Sequence, residues 1–291
     1  MQTTVYKLGS KLNRSYRIAL AADLHNDPCD ELLKEIEAQN PDIITIAGDI
    51  VFSKALERAG FDYEPEIPML ERFPNAVKFV RKVADIAPAY FSYGNHEWLL
   101  NPIDVQMIRD AGVTVLHNSW VKHGELVIGG MSSPYSWKFW EFSKKWHEEH
   151  PGDKRGSIRQ EYFNLNSEEY YESVDASWLP DFEVQEGYKL LICHHPEYWA
   201  LKEPKLITHQ IDLMVAGHAH GGQIRLFGRG VFAPYQGFWP RYTSGVHNGD
   251  YGKLMISRGL SNPVPVPRLF NPCEMVYVDL MEKDEINLKT E

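Results

Sequence analysis

Only three cysteines occur in 291 residues, Cys29, Cys193 and Cys273, far apart and without a Cys-x-x-Cys pair. That pattern excludes a disulfide framework and a thiolate-held zinc or iron–sulfur centre, and it fits a reducing compartment. No apolar run is long enough to cross a bilayer. The opening residues, Met1 to Leu8, lack a signal peptide's apolar core and a twin-arginine segment, so a cytoplasmic location is expected. Positive charge is scarce as well: Lys and Arg number 30 against 40 Asp and Glu, for a net charge of −10. Phosphate backbones are held by clustered cations, so a nucleic-acid partner is not expected. Repeats and low-complexity tracts are also missing.

What is present is a globular composition, 43% hydrophobic and 24% charged. Six strand-length apolar runs stand out, at 17–22, 42–47, 89–93, 126–130, 189–193 and 212–216. Between the early ones lie helical patterns at 30–38, 76–86 and 103–111, each followed by Pro or Gly. Strands alternating with helices imply βαβ units and parallel pairing, hence an α/β fold. The stretch 132–187 breaks the pattern. It is dense in aromatic and charged residues, Trp137, Phe139, Trp140, Phe142 and Trp146 among Lys138, Glu141, Lys144 and Lys145, and reads as a lid inserted into a single domain spanning 1–291. Its aromatic and lysine residues at 135–150 raise a second reading, peripheral contact with a membrane interface. The proline-rich segment 262–272 suits a rigid loop better than a ladder strand.

The chemistry is concentrated just after the apolar runs. Asp23-Leu24-His25 follows the first, Gly48-Asp49 the second, and Gly94-Asn95-His96-Glu97 the third. His194-His195-Pro196 follows the fifth, and Gly217-His218-Ala219-His220-Gly221-Gly222 the sixth. In an open α/β sheet, ligands bind beyond the carboxyl ends of the strands. Six of the twelve histidines fall in these five tips, so parallel pairing would bring two aspartates, an asparagine and several imidazoles into one crevice. Oxygen and imidazole donors without thiolates suit Mn, Fe, Zn or Ni. The donors outnumber what one tetrahedral ion needs, whereas two ions sharing a carboxylate would use them and clamp both oxygens of an in-line displacement. Asp49, the lone carboxylate of its tip, is the natural bridge. Asp23 with His25, and His218 with His220, flank one residue each and would face a common side if extended. By the same alternation His195 would turn away from the centre. His117 and His247 are isolated and read as surface residues, Cys193 as strand packing, and Arg258 as a phosphate contact or a salt bridge.

The set Asp23-x-His25, Gly48-Asp49, Gly94-Asn95-His96-Glu97, His194-x-Pro196 and Gly217-His218-x-His220 resembles the calcineurin-like metallophosphoesterase family. The endings Ser257-Arg258-Gly259-Leu260 and Arg268-Leu269-Phe270-Asn271-Pro272 look like a bacterial subgroup of it, some of whose members act on UDP-diacylglucosamine or are tied to the cell envelope. The resemblance implies a four-layer αββα sandwich. Asp23, His25, Asp49 and His220 would hold one divalent ion, and Asp49, Asn95, His194 and His218 the other, with manganese favoured. His96, aided by Asn95, would act on a small-molecule phosphoester, a phosphomonoester or a phosphodiester. Glu97 stands where the family more often has Asp, away from the ions. Two rival readings remain: a nuclease of the same superfamily, and a scaffold that keeps the fold without turnover. The first needs a basic groove. The second would be expected to have lost ligands, and none is lost here.

Overall fold

The apolar runs become strands covered on both faces, which is why they read as unbroken hydrophobic stretches rather than as alternation. A computed structural model describes residues 1–52, 68–133, 145, 148–151 and 174–283. The chain begins with β1 (Gln2–Gly9), β2 (Tyr16–Ala21), helix α1 (Asp30–Gln39) and β3 (Ile43–Ala47). Helix α2 (Pro74–Ile86), β4 (Ala89–Ser92), helix α3 (Pro102–Asp110) and β5 (Thr114–Val115) follow. A second series holds β6 (Ser119–His123), β7 (Leu126–Met131), helix α4 (Leu179–Glu183), β8 (Tyr188–Cys193) and β9 (Leu213–Ala216). Two short hairpins come next, β10 (Arg225–Leu226) with β11 (Arg229–Gly230) and β12 (Phe232–Ala233) with β13 (Gly237–Phe238). The last strands are β14 (Gly245–Asn248), β15 (Lys253–Ile256) and β16 (Glu274–Met281).

Two six-stranded sheets result, in the orders β1-β16-β2-β3-β4-β5 and β14-β15-β9-β8-β7-β6. The strands β2, β3, β4 and β5 run parallel, as do β7, β8, β9 and β15. Parallel pairing puts the carboxyl ends of β2, β3 and β4 at one edge of the first sheet, and those of β8 and β9 at one edge of the second. Ile18, Leu20, Ile128, Leu190, Ile192 and Val215 fill the space between the sheets. The outer face of the first sheet is covered by α1, α2 and α3 through Leu33, Ile36, Phe79, Val83 and Ile108. On the outer face of the second lie α4 and the 3-10 turn Pro196–Trp199, through Phe182 and Trp199. The layers are therefore helix, sheet, sheet, helix, as the resemblance implies.

Local signals explain the helix ends. Asn40 closes α1 in the left-handed conformation ahead of Pro41. Pro74 and Pro102 open α2 and α3, where a missing N–H costs nothing. Asn101 caps α3 reciprocally with Asp104, accepting from the Ile103 and Asp104 amides. The sequence reading did not anticipate β16, which runs antiparallel to β2 and links it to β1. Most of the segment expected as a lid, 132–187, lies outside the described residues, and so do 135–144, 146 and 147 of the stretch 135–150. Its last residues belong to the body, since Leu179 and Phe182 are fully buried.

Leu190 lies at the centre of the inter-sheet core and is inaccessible to solvent. Leu190→Ala is expected to cost about 2–5 kcal/mol. The half-exposed Ile103 should lose under about 1 kcal/mol in the same change, a contrast readable from urea unfolding midpoints.

Candidate metal centre

Three of the five strands that deliver donors, β2, β3 and β9, end in turns that regular secondary structure cannot make. Asp23, His25, Asp49, His218 and His220 all have positive φ, between 45° and 67°. Asp, Asn and His tolerate this left-handed region better than other side chains, at on the order of 1 kcal/mol each. Asp23 with His25, and His218 with His220, do reach a common site. They do so through left-handed turns rather than through the alternation of an extended strand. His195 is extended, with φ −90° and ψ 107°, yet its ring does not leave the centre: the ring centroids lie 5.0 Å from His194 and 4.4 Å from His218. Gly94 is required sterically, because a Cβ there would lie 2.3 Å from the Asp49 Oδ1.

Every sequence-predicted donor arrives at one place. Asp23, His25 and His220 form one group, His25, Asp49 and His96 a second, Asp49, His194 and His218 a third, and His195, Glu197 and His218 a fourth, with the donor atoms of each within 4.8 Å of one another. The His194 Nε2 is central to the third. It lies 3.2 Å from the Asp49 Oδ2, 3.1 Å from the Asn95 Oδ1 and 3.1 Å from the His218 Nδ1. Around the first group, the His220 Nε2 is 3.4 Å from the His25 Nε2 and 3.6 Å from the Asp23 Oδ1. The Asp49 Oδ2 joins the two, 3.8 Å from the His25 Nε2 and 3.9 Å from the His96 Nε2.

This donor set fits cations. Lone pairs of neighbouring imidazoles and carboxylates converge with too few protons to separate them. Burial pushes Asp23 up to about 7, against the pull of the His194 charge. Burial also pushes the Asp49 carboxyl up, but the His194 and His96 imidazoles outweigh it and hold the group well below the ordinary range. The His194 imidazolium is opposed by burial, yet the Asp49 and Asp23 carboxylates raise it to about 10. Burial lowers His25 to about 4 and His218 and His220 well below their usual values. Without ions, one proton on His194 offsets the buried Asp49 carboxylate while His25, His218 and His220 stay neutral, the protonation state in which they can ligate.

Supporting groups hold the donors in place. The Glu97 carboxylate accepts from the amides of Gly94 at 2.7 Å, Asp49 at 2.8 Å and Ile50 at 2.8 Å, so it ties two donor turns together. Burial and the Asp49 charge push Glu97 up to about 8, against those amides. The His96 amide donates to the Asp49 Oδ1 at 2.8 Å, and the His218 amide donates to both Asp23 oxygens at 3.1 Å. Carbonyls orient two rings, that of Ala47 at the His194 Nδ1 and that of Val51 at the His25 Nδ1.

Several residues fall outside the sequence reading. Glu197 lies with its Oε1 3.9 Å from the His218 Nε2 and 3.2 Å from the His195 Nδ1, and the His195 Nε2 meets the Ser133 Oγ at 2.9 Å. Arg268 donates to the His220 Nδ1 at 2.7 Å, and Asn271 donates to the His220 carbonyl at 2.7 Å. Tyr235 stacks on His218, and the Phe52 ring packs on His25 and His96. Arg268 and Asn271 stand in one of the endings that look like the subgroup, where they had no assigned role; the others carried no motif, and only the neighbourhood of Glu197 to the His194-His195 tip was a signal. Of the lesser candidates, His117 pairs with Ser132 and His247 with the Ser244 carbonyl. Cys193 is buried in strand packing. Arg258 makes a salt bridge to Glu274 at 3.0 Å rather than facing the crevice. A cavity of about 640 Å³ lined by Lys11, Asp212 and residues 248–253 opens at the opposite strand ends. Its Lys11 is paired with Asp212 at 3.0 Å, and it contains none of the donors.

Glu97→Ala would strip three buried amides of their acceptor. At about 1–3 kcal/mol each, the loss is expected to exceed about 3 kcal/mol by chemical unfolding, with manganese affinity down about 10–100-fold by calorimetric titration.

Comparison with known proteins agrees with this geometry. The chain is 24% identical over 273 residues to an uncharacterized metallophosphoesterase of Campylobacter jejuni, covering 91% of this chain and 58% of that protein. It is 25% identical over 220 residues to an uncharacterized protein of Bacillus subtilis, covering 75% and 65%. The chain thus spans about three fifths of the length of the curated relatives it matches. Similar solved structures include a phosphopantetheinyl hydrolase from Mycobacterium tuberculosis (13% identity, 87% of this chain and 92% of that chain, TM-score 0.43). Another is a dimetal phosphatase from Danio rerio (12% identity, 84% and 87%, TM-score 0.46). The calcineurin-like phosphoesterase family matches residues 16–222, from β2 through the last of the five donor turns, and the chain belongs to that family.

Proposed function

We propose that this chain hydrolyses a small-molecule phosphate ester, a monoester or a diester, with two divalent cations. The observation that supports this reading is the sharing of donors: among the described residues Asp49, His25 and His218 each belong to two of the four donor groups, as a pair of adjacent ions requires. Asp23, His25, Asp49 and His220 would hold one cation, and Asp49, Asn95, His194 and His218 the other. Divalent cations there supply Lewis acidity, polarising a phosphoryl oxygen and acidifying water towards neutral pH. Oxygen and imidazole donors admit Mn, Fe, Zn or Ni, and manganese is our first choice.

The protein's own groups do the rest. His96 stands at the mouth, 8% exposed, with its Nε2 near Asp49 but in neither set of four. An imidazole there is placed to stabilise charge on the phosphoryl group or to protonate the leaving oxygen. The Asn95 Oδ1 faces His194, which leaves its amide nitrogen to donate to a phosphoryl oxygen. Phe52, packed on His25 and His96, excludes water from one side. The acidic total disfavours a nucleic-acid substrate. Three free cysteines support a reducing, cytoplasmic location, and among the described residues no helix is long and apolar enough to cross a membrane.

Manganese at about a hundred times its dissociation constant should stabilise the wild type by about 2.7 kcal/mol, seen as a rise in melting temperature that Asp49→Asn loses. That variant should also lose hydrolysis of a chromogenic phosphodiester; near-wild-type turnover at equal metal load would sink the scheme. His96→Asn should behave differently. It should keep the thermal shift and lose about 10²–10⁴-fold in kcat, a separation that a purely structural role for His96 would not produce.

A further inference from the structure

Charge is unevenly distributed along this acidic chain. The segments 222–243 and 262–272 carry four cations, Arg225, Arg229, Arg241 and Arg268, and no Asp or Glu, while the whole chain has a net charge of −10. Together they build a loop layer over the metal centre. Val231 of that layer donates to the Gly222 carbonyl, Arg225 to the Leu269 carbonyl and Trp239 to the Val231 carbonyl, while Tyr235 stacks on His218.

Large aromatic residues project from this layer into solvent. Phe227 is 102% exposed, Phe270 82%, Phe238 76% and Trp239 53%. Burial does not explain them, and neither does local conformation. Phe227 occupies the two-residue turn between β10 and β11 with φ 51°, Trp239 has φ 55° and Phe270 φ 56°. These are positions where Gly or Asn is favoured and a bulky side chain is an outlier. Residues costly in both respects mark a surface kept for contact.

We infer that this layer docks the protein on an anionic lipid surface. Protruding aromatic tips flanked by arginines match a bilayer interface, where rings enter the headgroup boundary and cations meet anionic lipids. The exposed Arg229 and Arg241 lie two residues from Phe227 and Trp239 respectively. The net charge of −10 repels the rest of the molecule from such a surface, so charge selects this face. A symmetric pair of copies would instead set this basic face against itself. The contact draws on residues other than 135–150 and does not depend on the hydrolytic reading, because it is read as binding alone.

The test is co-sedimentation with vesicles of phosphatidylcholine alone, or with an equal part of phosphatidylglycerol. The wild type should sediment with the anionic vesicles, weakly with the neutral ones, and less as salt rises. A Phe227→Ser/Phe238→Ser variant should lose about tenfold or more in partitioning, and Arg229→Glu/Arg241→Glu should lose the preference for phosphatidylglycerol. Melting temperature and its manganese shift should be unchanged in both, which separates lost docking from lost folding. Wild type left in the supernatant with anionic vesicles, or a Phe227→Ser/Phe238→Ser variant that binds like wild type, overturns the inference. So does gel filtration showing a dimer that the two serines abolish, since the face would then belong to a second copy.

Discussion

The Asp49 carboxylate is the constraint around which the rest is organised. It is almost fully buried in a sandwich whose core is otherwise apolar, and a bare charge there would cost several kcal/mol. Three imidazoles meet it from three different strand ends, His25, His96 and His194. A cation at about 4 Å recovers on the order of 4 kcal/mol at the effective dielectric of such sites. The protein places positive charge there by protonating His194, and divalent ions would do so more completely. The Glu97 bonds, the left-handed donor turns and the close approach of Gly94 all serve to hold Asp49 where those rings can reach it.

Rigidity and strain are distributed to match. The strands behind the site are buried on both faces, and their packing resists the displacement that would relax the turns. The turns themselves are strained, and they are fastened from outside by Ser261 on the Asp23 carbonyl, Arg268 and Asn271 on His220, and Glu197 near His218. Beyond this shell, the hairpin layer carries its unfavourable aromatics outward, away from the centre it covers. Stability is thus concentrated in the sheets, and local conformational cost is concentrated where ligands and surfaces meet.

Much of the site was legible in the sequence because its donors sit in short motifs directly after apolar runs. Parallel pairing then leaves little freedom over where Asp23, Asp49, Asn95, His194 and His218 arrive. The helices were legible from their periodicity and punctuation, as in Pro41 after the first pattern and Gly112 after the third. β16 was not legible, because a strand pairing antiparallel with β2 from more than two hundred residues away leaves no local mark. Glu97 was visible as a departure from the commoner residue, but its forty-eight-residue reach to Asp49 was not. Arg268 was lost for the same reason, standing in a proline-rich loop forty-eight residues from the histidine it contacts.

The sequence by itself determined the α/β class and the candidate donors, oxygen and imidazole rather than thiolate, since periodicity and side-chain chemistry are local properties. Tertiary structure alone decided which donors share a neighbour, that the paired ligands meet through left-handed turns rather than extended ones, and which carboxylates and cations fasten them. It also decided that a run of aromatics after β9 would face solvent. Those outcomes depend on distances between segments remote in the chain, and on which side of a turn a ring can occupy without collision, and neither quantity is carried by residue order.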